Sequence, residues 1–125
     1  MVNAEQYYRE NQIKNCLKQQ RIVAEQFEQL NDYETASYFY KKCLDISIEA
    51  KFVEGEAKAY MGLGICEEKV LNIFEAMGNL ETALQKSIDA PNLNKIEQEI
   101  SRELVRVYQR IAGQFQDEND FDKSL

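Results

Sequence analysis

Histidine and tryptophan are absent from this chain of 125 residues, and proline occurs once. The lack of histidine removes the commonest general base near neutral pH and the usual partner of a nucleophilic serine or cysteine. Carboxylates and lysines remain, but no isolated pair of carboxylates lies in an apolar setting that would separate two pKa values. We therefore expect a protein that is not an enzyme, with no small-molecule substrate and no cofactor.

Cysteine is scarce, and Cys16, Cys43 and Cys66 are widely spaced without a Cys-x-x-Cys pair. Because histidine is missing too, the cysteines offer no complete ligand set, and we expect no metal site. The chain also lacks an uninterrupted apolar run of about 18 residues and a charged-then-apolar leader. These absences predict reduced thiols and a cytoplasmic location.

Basic side chains are the minority, 15 against 22 acidic ones, which gives a formal net charge of -7. The negative excess repels phosphate backbones and anionic lipid headgroups, so we expect neither nucleic acid nor a membrane as partner. Apolar residues make up 44% of the chain, which is too many for intrinsic disorder. A chain of this length buries roughly two-thirds of its unfolded surface, so a single domain over residues 1–125 is expected.

Helical periodicity is present almost throughout. One helix face is formed by Val23, Ala24, Phe27 and Leu30. Asn31-Asp32 then interrupts the pattern, because short polar side chains favour turns and helix N-caps. A second face follows in Tyr33, Ala36, Tyr40, Cys43, Leu44 and Ile48. The pattern predicts an all-α fold that contains an antiparallel helix hairpin.

The hairpin pattern recurs along the chain. Val23-Ala24 is matched 40 residues later by Leu63-Gly64, and Ile111-Ala112 marks a third copy. We assign the copies to residues 14–52, 54–92 and a truncated 102–125, with residues 1–13 as a candidate preceding helix. In the third copy Asn119-Asp120 stands at the turn, and Phe121 starts a second helix of barely one turn.

The middle copy has two readings. With Asn72 at its turn, the offset of 40 residues is kept, and Gly78 lies inside a helix at a cost of about 1 kcal/mol relative to alanine. With Gly78-Asn79 at the turn, about two extra helical turns enter the first helix. We prefer the first reading because it keeps the offset. It leaves Glu67 at the expected core position that Phe27 occupies in the first copy.

These copies resemble the tetratricopeptide repeat family, which sets a large-small pair in the first helix of a repeat and small residues in the second. Val23-Ala24 is followed by Ala36, Tyr40 and Cys43; Leu63-Gly64 is followed by Ala76, Leu80 and Ala83. Small residues are needed where two helices cross closely. The resemblance implies an α-solenoid of antiparallel helix-hairpin repeats, about two and a half in number.

In that family the first helices of successive repeats line a concave groove in which a partner segment docks. The resemblance therefore implies a partner-binding groove that includes Lys18, Arg21, Glu25, Lys58, Met61, Ile65, Arg106, Gln109 and Arg110. Such a groove is locally basic on an acidic protein. The alternative is that these cations serve only the solubility of the surface.

The resemblance implies a non-catalytic scaffold for protein–protein interactions, with other proteins as its partners. The alternative is a structural subunit built permanently into a large assembly, because the truncated third copy leaves an open end for a neighbour to cover. Residues 54–64 are similar to longer-type repeats of kinesin light chains, spindle-orientation adaptors and axonemal proteins. This similarity implies cytoskeletal or ciliary machinery.

Overall fold

The computed structural model describes the backbone of residues 4–89 and 94–123 and the side chains of residues 9–89 and 94–113. Within these ranges the chain forms helices and no strand. The helices are α1 (Ala4–Gln29), α2 (Tyr33–Glu49), α3 (Val53–Lys69), α4 (Ile73–Asp89) and α5 (Asn94–Lys123). Each packs against its neighbours in the chain, and α3 also contacts α5. The predicted all-α arrangement of helix hairpins is confirmed, and the described ranges hold two hairpins followed by a single helix.

The turns that join the first four helices share one backbone conformation. Asn31, Lys51 and Leu71, at intervals of 20 residues, have positive φ angles of 61°, 56° and 69°. In each turn the residue after the positive-φ residue donates its backbone N–H to a carbonyl in the last turn of the preceding helix. Asp32 N–H donates to Phe27 O at 2.9 Å, and Asn72 N–H donates to Glu67 O at 2.8 Å. This is the Schellman motif that ends many helices. The turn before α4 therefore confirms the preferred register of the middle copy, and Gly78 lies inside α4.

Leu71 is the least suited of these residues to its backbone conformation. A left-handed φ costs a non-glycine residue roughly 1–2 kcal/mol, and the Leu71 side chain is 70% exposed, so it recovers little by burial. Leu71→Gly is expected to raise the free energy of unfolding by about 1 kcal/mol, after the added entropy of the unfolded glycine is subtracted. Urea unfolding measures this.

Leu30→Gly is the matched control for that variant. Leu30 is 74% exposed and its φ is not positive, so glycine there should be neutral or destabilising. An equal gain in both variants would mean that backbone strain at Leu71 is not the cause.

Small residues lie where the helices cross, as the repeat pattern predicts. Ala24 of α1 and Ala36 of α2 are fully buried in one cluster, and Ala76 of α4 is fully buried in another. At Gly64 a Cβ atom would come within 2.7 Å of the Leu80 side chain. Only hydrogen fits at that point, which accounts for the glycine in the large-small pair of the second copy.

The third copy differs from its prediction. The helix α5 begins at Asn94, earlier than residue 102, and continues through Asn119-Asp120 to Lys123 without a turn. The prediction of a new helix at Phe121 is therefore wrong. One turn of helix closes too few hydrogen bonds to offset its nucleation, so continuing an existing helix is favoured over starting another. Of the candidate preceding helix at residues 1–13, the described part from Ala4 onward is not separate, because α1 runs unbroken from Ala4 to Gln29; residues 1–3 lie outside the described residues.

None of the helices in the described part of the chain combines the length and the apolar composition that a membrane crossing requires.

Candidate functional site

A groove runs along the face formed by α1, α3 and the first turns of α5. Its first recess, the α1–α3 pocket, has a volume of about 270 Å³ and lies between α1 and α3 with α2 side chains at its floor. Its second recess, the central groove, has a volume of about 690 Å³ and extends from α1 across α3 to α5. Arg21, Tyr40, Glu54 and Lys58 line both recesses, so the two are continuous.

The floor of the α1–α3 pocket is apolar and closely packed. Leu17, Tyr40, Cys43 and Ala59 line it and are all buried. The Tyr40 ring lies directly against α3 at Gly62, where a methyl group would overlap it. The missing side chain at Gly62 therefore lets α2 supply an aromatic floor to a recess between α1 and α3.

The titratable groups of the floor are held in their neutral forms. Burial raises the pKa of the Tyr40 hydroxyl, and a hydrogen bond with Glu28 raises it further. Burial raises the pKa of the Cys43 thiol to about 11. Cys66 lies outside the pocket, in the core cluster that contains Tyr40, and there burial and the nearby Glu28 charge raise the pKa of its thiol to about 12. Because the thiolate is the reactive form of cysteine, these thiols are poor nucleophiles near neutral pH, and the floor is suited to contact.

The rim of the α1–α3 pocket is cationic. Lys14, Lys18 and Arg21 follow one another at helical spacing on α1, and Lys58 faces them from α3. Lys58 forms an ion pair with Glu54, with Nζ 3.1 Å from Oε1. The Arg21 Nε atom is buried and has no hydrogen-bond partner among the described residues, and its nearest carboxylate, Glu25 Oε1, is 3.8 Å away.

The structure brings together most of the predicted groove residues of the first two copies. Lys18, Arg21 and Lys58 line the α1–α3 pocket. Glu25, Met61 and Ile65 line the central groove. The groove is thus built from the first helices of the two complete repeats, α1 and α3, together with the first turns of α5.

The predicted residues of the third copy lie elsewhere on α5. Arg106 donates to Glu103, with Nη2 2.7 Å from Oε1. Arg110 lies beside Glu68 of α3, and Gln109 is exposed. Because α5 starts at Asn94, the residues of α5 that reach the central groove are instead Lys95, Ile96 and Glu99.

Sequence reasoning missed these α5 residues and Lys14. Lys14 stands one helical turn before Lys18, so its place on the same face was available from periodicity. The start of α5 carried no comparable signal, because the repeat register pointed to residue 102. Tyr40 and Cys43 were identified as core residues, and their second role as the pocket floor depends on Gly62, which periodicity alone does not reveal.

Glu67, the acidic residue at an expected core position, has a dedicated partner. The Asn79 side-chain amide donates to both of its carboxylate oxygens, at 2.8 and 2.7 Å. Burial raises the pKa of Glu67, and the hydrogen bonding from Asn79 opposes that rise. Glu67 therefore links α3 to α4, where the first copy uses the aromatic ring of Phe27.

A second acidic feature, the Glu68 cluster, joins α3 to α5 and consists of Glu68, Glu103, Arg106 and Arg110. The Glu68 carboxylate is fully buried, and Arg110 Nε lies 3.1 Å from its Oε1 atom. Neither Glu68 oxygen has hydrogen-bond geometry with a described partner. Burial raises the pKa of Glu103, the Arg106 charge lowers it, and the Glu68 charge raises it.

The raised pKa of Glu103 predicts a pH dependence of stability. A carboxyl group whose pKa rises on folding above its ordinary 4.5 contributes stability that is fully present below that value. The contribution is lost as the pH rises through the folded-state pKa. Glu103→Gln should therefore make the fall in unfolding free energy above pH 4.5 shallower, as urea titrations at each pH would measure.

Glu99→Gln removes the same charge from an exposed position of α5 and is the control. If both variants flatten the profile equally, net charge rather than burial of Glu103 governs the pH dependence.

Comparison with known proteins identifies no relative of this chain. No family model, no curated protein and no solved structure matches this chain. A functional proposal has to be built from the groove and from the repeat pattern.

Proposed function

We propose that this chain is a non-catalytic scaffold of the tetratricopeptide type that binds a segment of another protein in the central groove. The observation that supports the proposal is the continuity of the groove over three helices of the array. Half-buried Met61 and Ile65 form an apolar strip there, and Arg21, Lys58 and Lys95 provide charge beside it. A groove of this kind suits an extended or helical segment, which is read through alternate apolar and charged contacts.

The perturbed titratable groups fit this non-catalytic role. Glu67 is engaged by Asn79 and Glu103 by Arg106, both away from the groove. The thiols of Cys43 and Cys66 are held protonated by burial. General acid–base chemistry needs a group poised near the working pH and open to substrate. The groove residues whose pKa values are shifted, Tyr40 and Cys43, are instead buried, and the shifts keep them neutral.

The proposal is tested by site-specific photo-crosslinking in the cytoplasm, the location that composition favours. A photoreactive side chain replaces Met61 in the groove, and in a second protein it replaces Phe74 on α4. We expect a partner that crosslinks from position 61, not from position 74, and that is lost when Lys95→Glu, a change confined to the central groove, is added. Crosslinks only from position 74 would contradict groove binding.

A second candidate function is a structural subunit of a large assembly, for which cilium and cytoskeleton are our proposals from the resemblance. The observation that favours it is the number of large apolar side chains left on the surface. Leu30, Val70, Leu71 and Phe74 are exposed at the turns after α1 and α3. These two turns lie on the same edge of an antiparallel array, and large apolar side chains gathered on one edge favour a contact surface.

Thermal unfolding by circular dichroism with light scattering separates the two candidates. The test replaces four residues by serine: Leu30, Val70, Leu71 and Phe74. If the protein is a scaffold, its thermal unfolding should stay cooperative and its solubility should not change. A subunit should associate through that edge when isolated, and the serine variant should abolish the association. The crosslinking and unfolding experiments use different surfaces, so one can fail while the other succeeds.

A further inference from the structure

The α1–α3 pocket carries a local surplus of positive charge on this acidic protein. Four cations, Lys14, Lys18, Arg21 and Lys58, surround its apolar floor, and among the described residues Glu54 is the one acidic side chain lining it. The central groove is different, because four carboxylates there outnumber three cations, so the predicted basic character is wrong for the central groove and holds only at the α1–α3 pocket. On a chain with net charge -7 the pocket is a local reversal of sign. An apolar floor inside a cationic rim is complementary to a peptide segment in which an apolar side chain is flanked by acidic residues.

Two of the four rim cations have no carboxylate partner within the described part of the chain. Among the described residues, Lys14 and Lys18 form no ion pair, whereas Lys58 pairs with Glu54 and Arg21 lies 3.8 Å from Glu25. In that same part of the chain, Arg21 Nε is buried without a hydrogen-bond acceptor. The Arg21 side chain as a whole is 37% exposed, so its other guanidinium N–H groups are the ones that can donate charge-assisted bonds to a docking carboxylate.

The chain itself contains a segment with the complementary chemistry. Phe121 stands among the carboxylates of Asp117, Glu118, Asp120 and Asp122. This is a dense acidic stretch with a single aromatic residue. It lies in the last part of α5, residues 111–123, which we call the α5 overhang.

The α5 overhang extends past the end of α3. Arg110 of α5 lies beside Glu68, the last residue but one of α3, so α5 reaches the end of α3 at that point. The remaining residues of α5 add about 20 Å of helix at 1.5 Å per residue. The α1–α3 pocket is formed by the first half of α3, at the opposite end of that helix. The overhang therefore points away from the pocket of its own molecule.

We propose that the α5 overhang of one copy docks in the α1–α3 pocket of a second copy, with Phe121 on the apolar floor and the flanking carboxylates on Lys18 and Arg21. The contact joins different surfaces of the two molecules, so it is head-to-tail and extends to a third and fourth copy. It covers the cationic end of the groove and leaves Met61 and Ile65 to the partner of the proposed function. The contact is small, so the association is weak and sensitive to salt.

Sedimentation velocity of the full chain tests this proposal. The weight-average mass of the wild type is expected to rise over about a hundredfold range of concentration and to fall when salt is added. Lys18→Glu, which damages the pocket, and Phe121→Ser, which damages the overhang, should each remain monomeric alone. Mixed together they should form one-to-one dimers and nothing larger, because each protein keeps one of the two surfaces. Lys41→Glu, the same charge change on exposed α2, should behave as the wild type.

Three results would overturn the proposal. They are a wild type that stays monomeric throughout, association of Lys18→Glu equal to that of the wild type, and a mixture of the two variants that does not pair. If the wild type stays monomeric but a partner still crosslinks from position 61, then the groove binds another protein and does not bind a second copy of this chain. The proposed function then stands without the self-association.

Discussion

Replacement of Gly62 by alanine is expected to lower the free energy of unfolding by about 2 kcal/mol. A methyl group at this position would overlap the Tyr40 ring, which is buried and packed in the cluster of Ala24 and Ala36. Overpacking of this kind costs up to about 3 kcal/mol, and the better helix propensity of alanine returns about 1 kcal/mol. Urea unfolding followed by circular dichroism measures the difference.

Gly78→Ala is the matched control for this prediction. Gly78 also lies inside a helix, but a methyl group there would meet no atom within 4 Å. The variant should therefore gain about 1 kcal/mol from helix propensity alone. The two substitutions change the same atoms, so the gap between them isolates the contact with Tyr40. Equal effects in both would show that α2 and α3 can separate at no cost.

The double variant Gly62→Ala with Tyr40→Leu makes the assignment specific. Leucine lacks the ring edge that the new methyl group would overlap, so part of the loss should return and the two effects should not add. The same variant removes the aromatic floor of the α1–α3 pocket. We expect it to fold and to weaken self-association, which separates stability from docking.

The repeat pattern predicted the fold where local chemistry and packing agree. Val23-Ala24 and Leu63-Gly64 marked the helix crossings, and the constant offset placed the turn before α4 correctly because all three turns use one backbone motif. The pattern failed at the third copy. Asn119-Asp120 repeats the letters of the first turn, yet α5 continues through them to Lys123, because the letters alone do not end a helix.

The lining of the groove was predicted for the part that α1 and α3 contribute, and it was not predicted for the part that α5 contributes. Lys18, Arg21, Lys58 and Met61 follow from the face that first helices present, and their helices were placed correctly. The α5 contribution depended on the start of a helix that the repeat register placed too late.

The roles of Arg110 and Glu68 depend on which side chains meet across α3 and α5. Both residues are charged, and their sequence context is that of solvated helix surfaces. Periodicity gives no signal for a carboxylate that is fully buried in the folded protein.

Loss of the Arg110–Glu68 ion pair is expected to have the second large effect, because Arg110 is the cation beside a carboxylate that has no access to water. Arg110→Ala should lower the free energy of unfolding by about 3 kcal/mol. This is near the lower limit of the loss expected when a buried ion pair is broken, because the Arg110 side chain is 44% exposed. Arg102→Ala, on an exposed part of the same helix, should change it by less than about 0.5 kcal/mol. Guanidinium chloride would screen the pair, so urea is the denaturant for these measurements.

Glu68→Met in both backgrounds completes the cycle. A methionine of similar size removes the buried charge, so the single variant should be near neutral, and Arg110→Ala added to it should lose little further stability. A loss of about 3 kcal/mol from Arg110→Ala in the Glu68→Met background would instead mean that the arginine stabilises α5 by packing its aliphatic stem. The buried carboxylate would then be a cost that Arg110 does not relieve, and Glu68→Met alone should stabilise the protein.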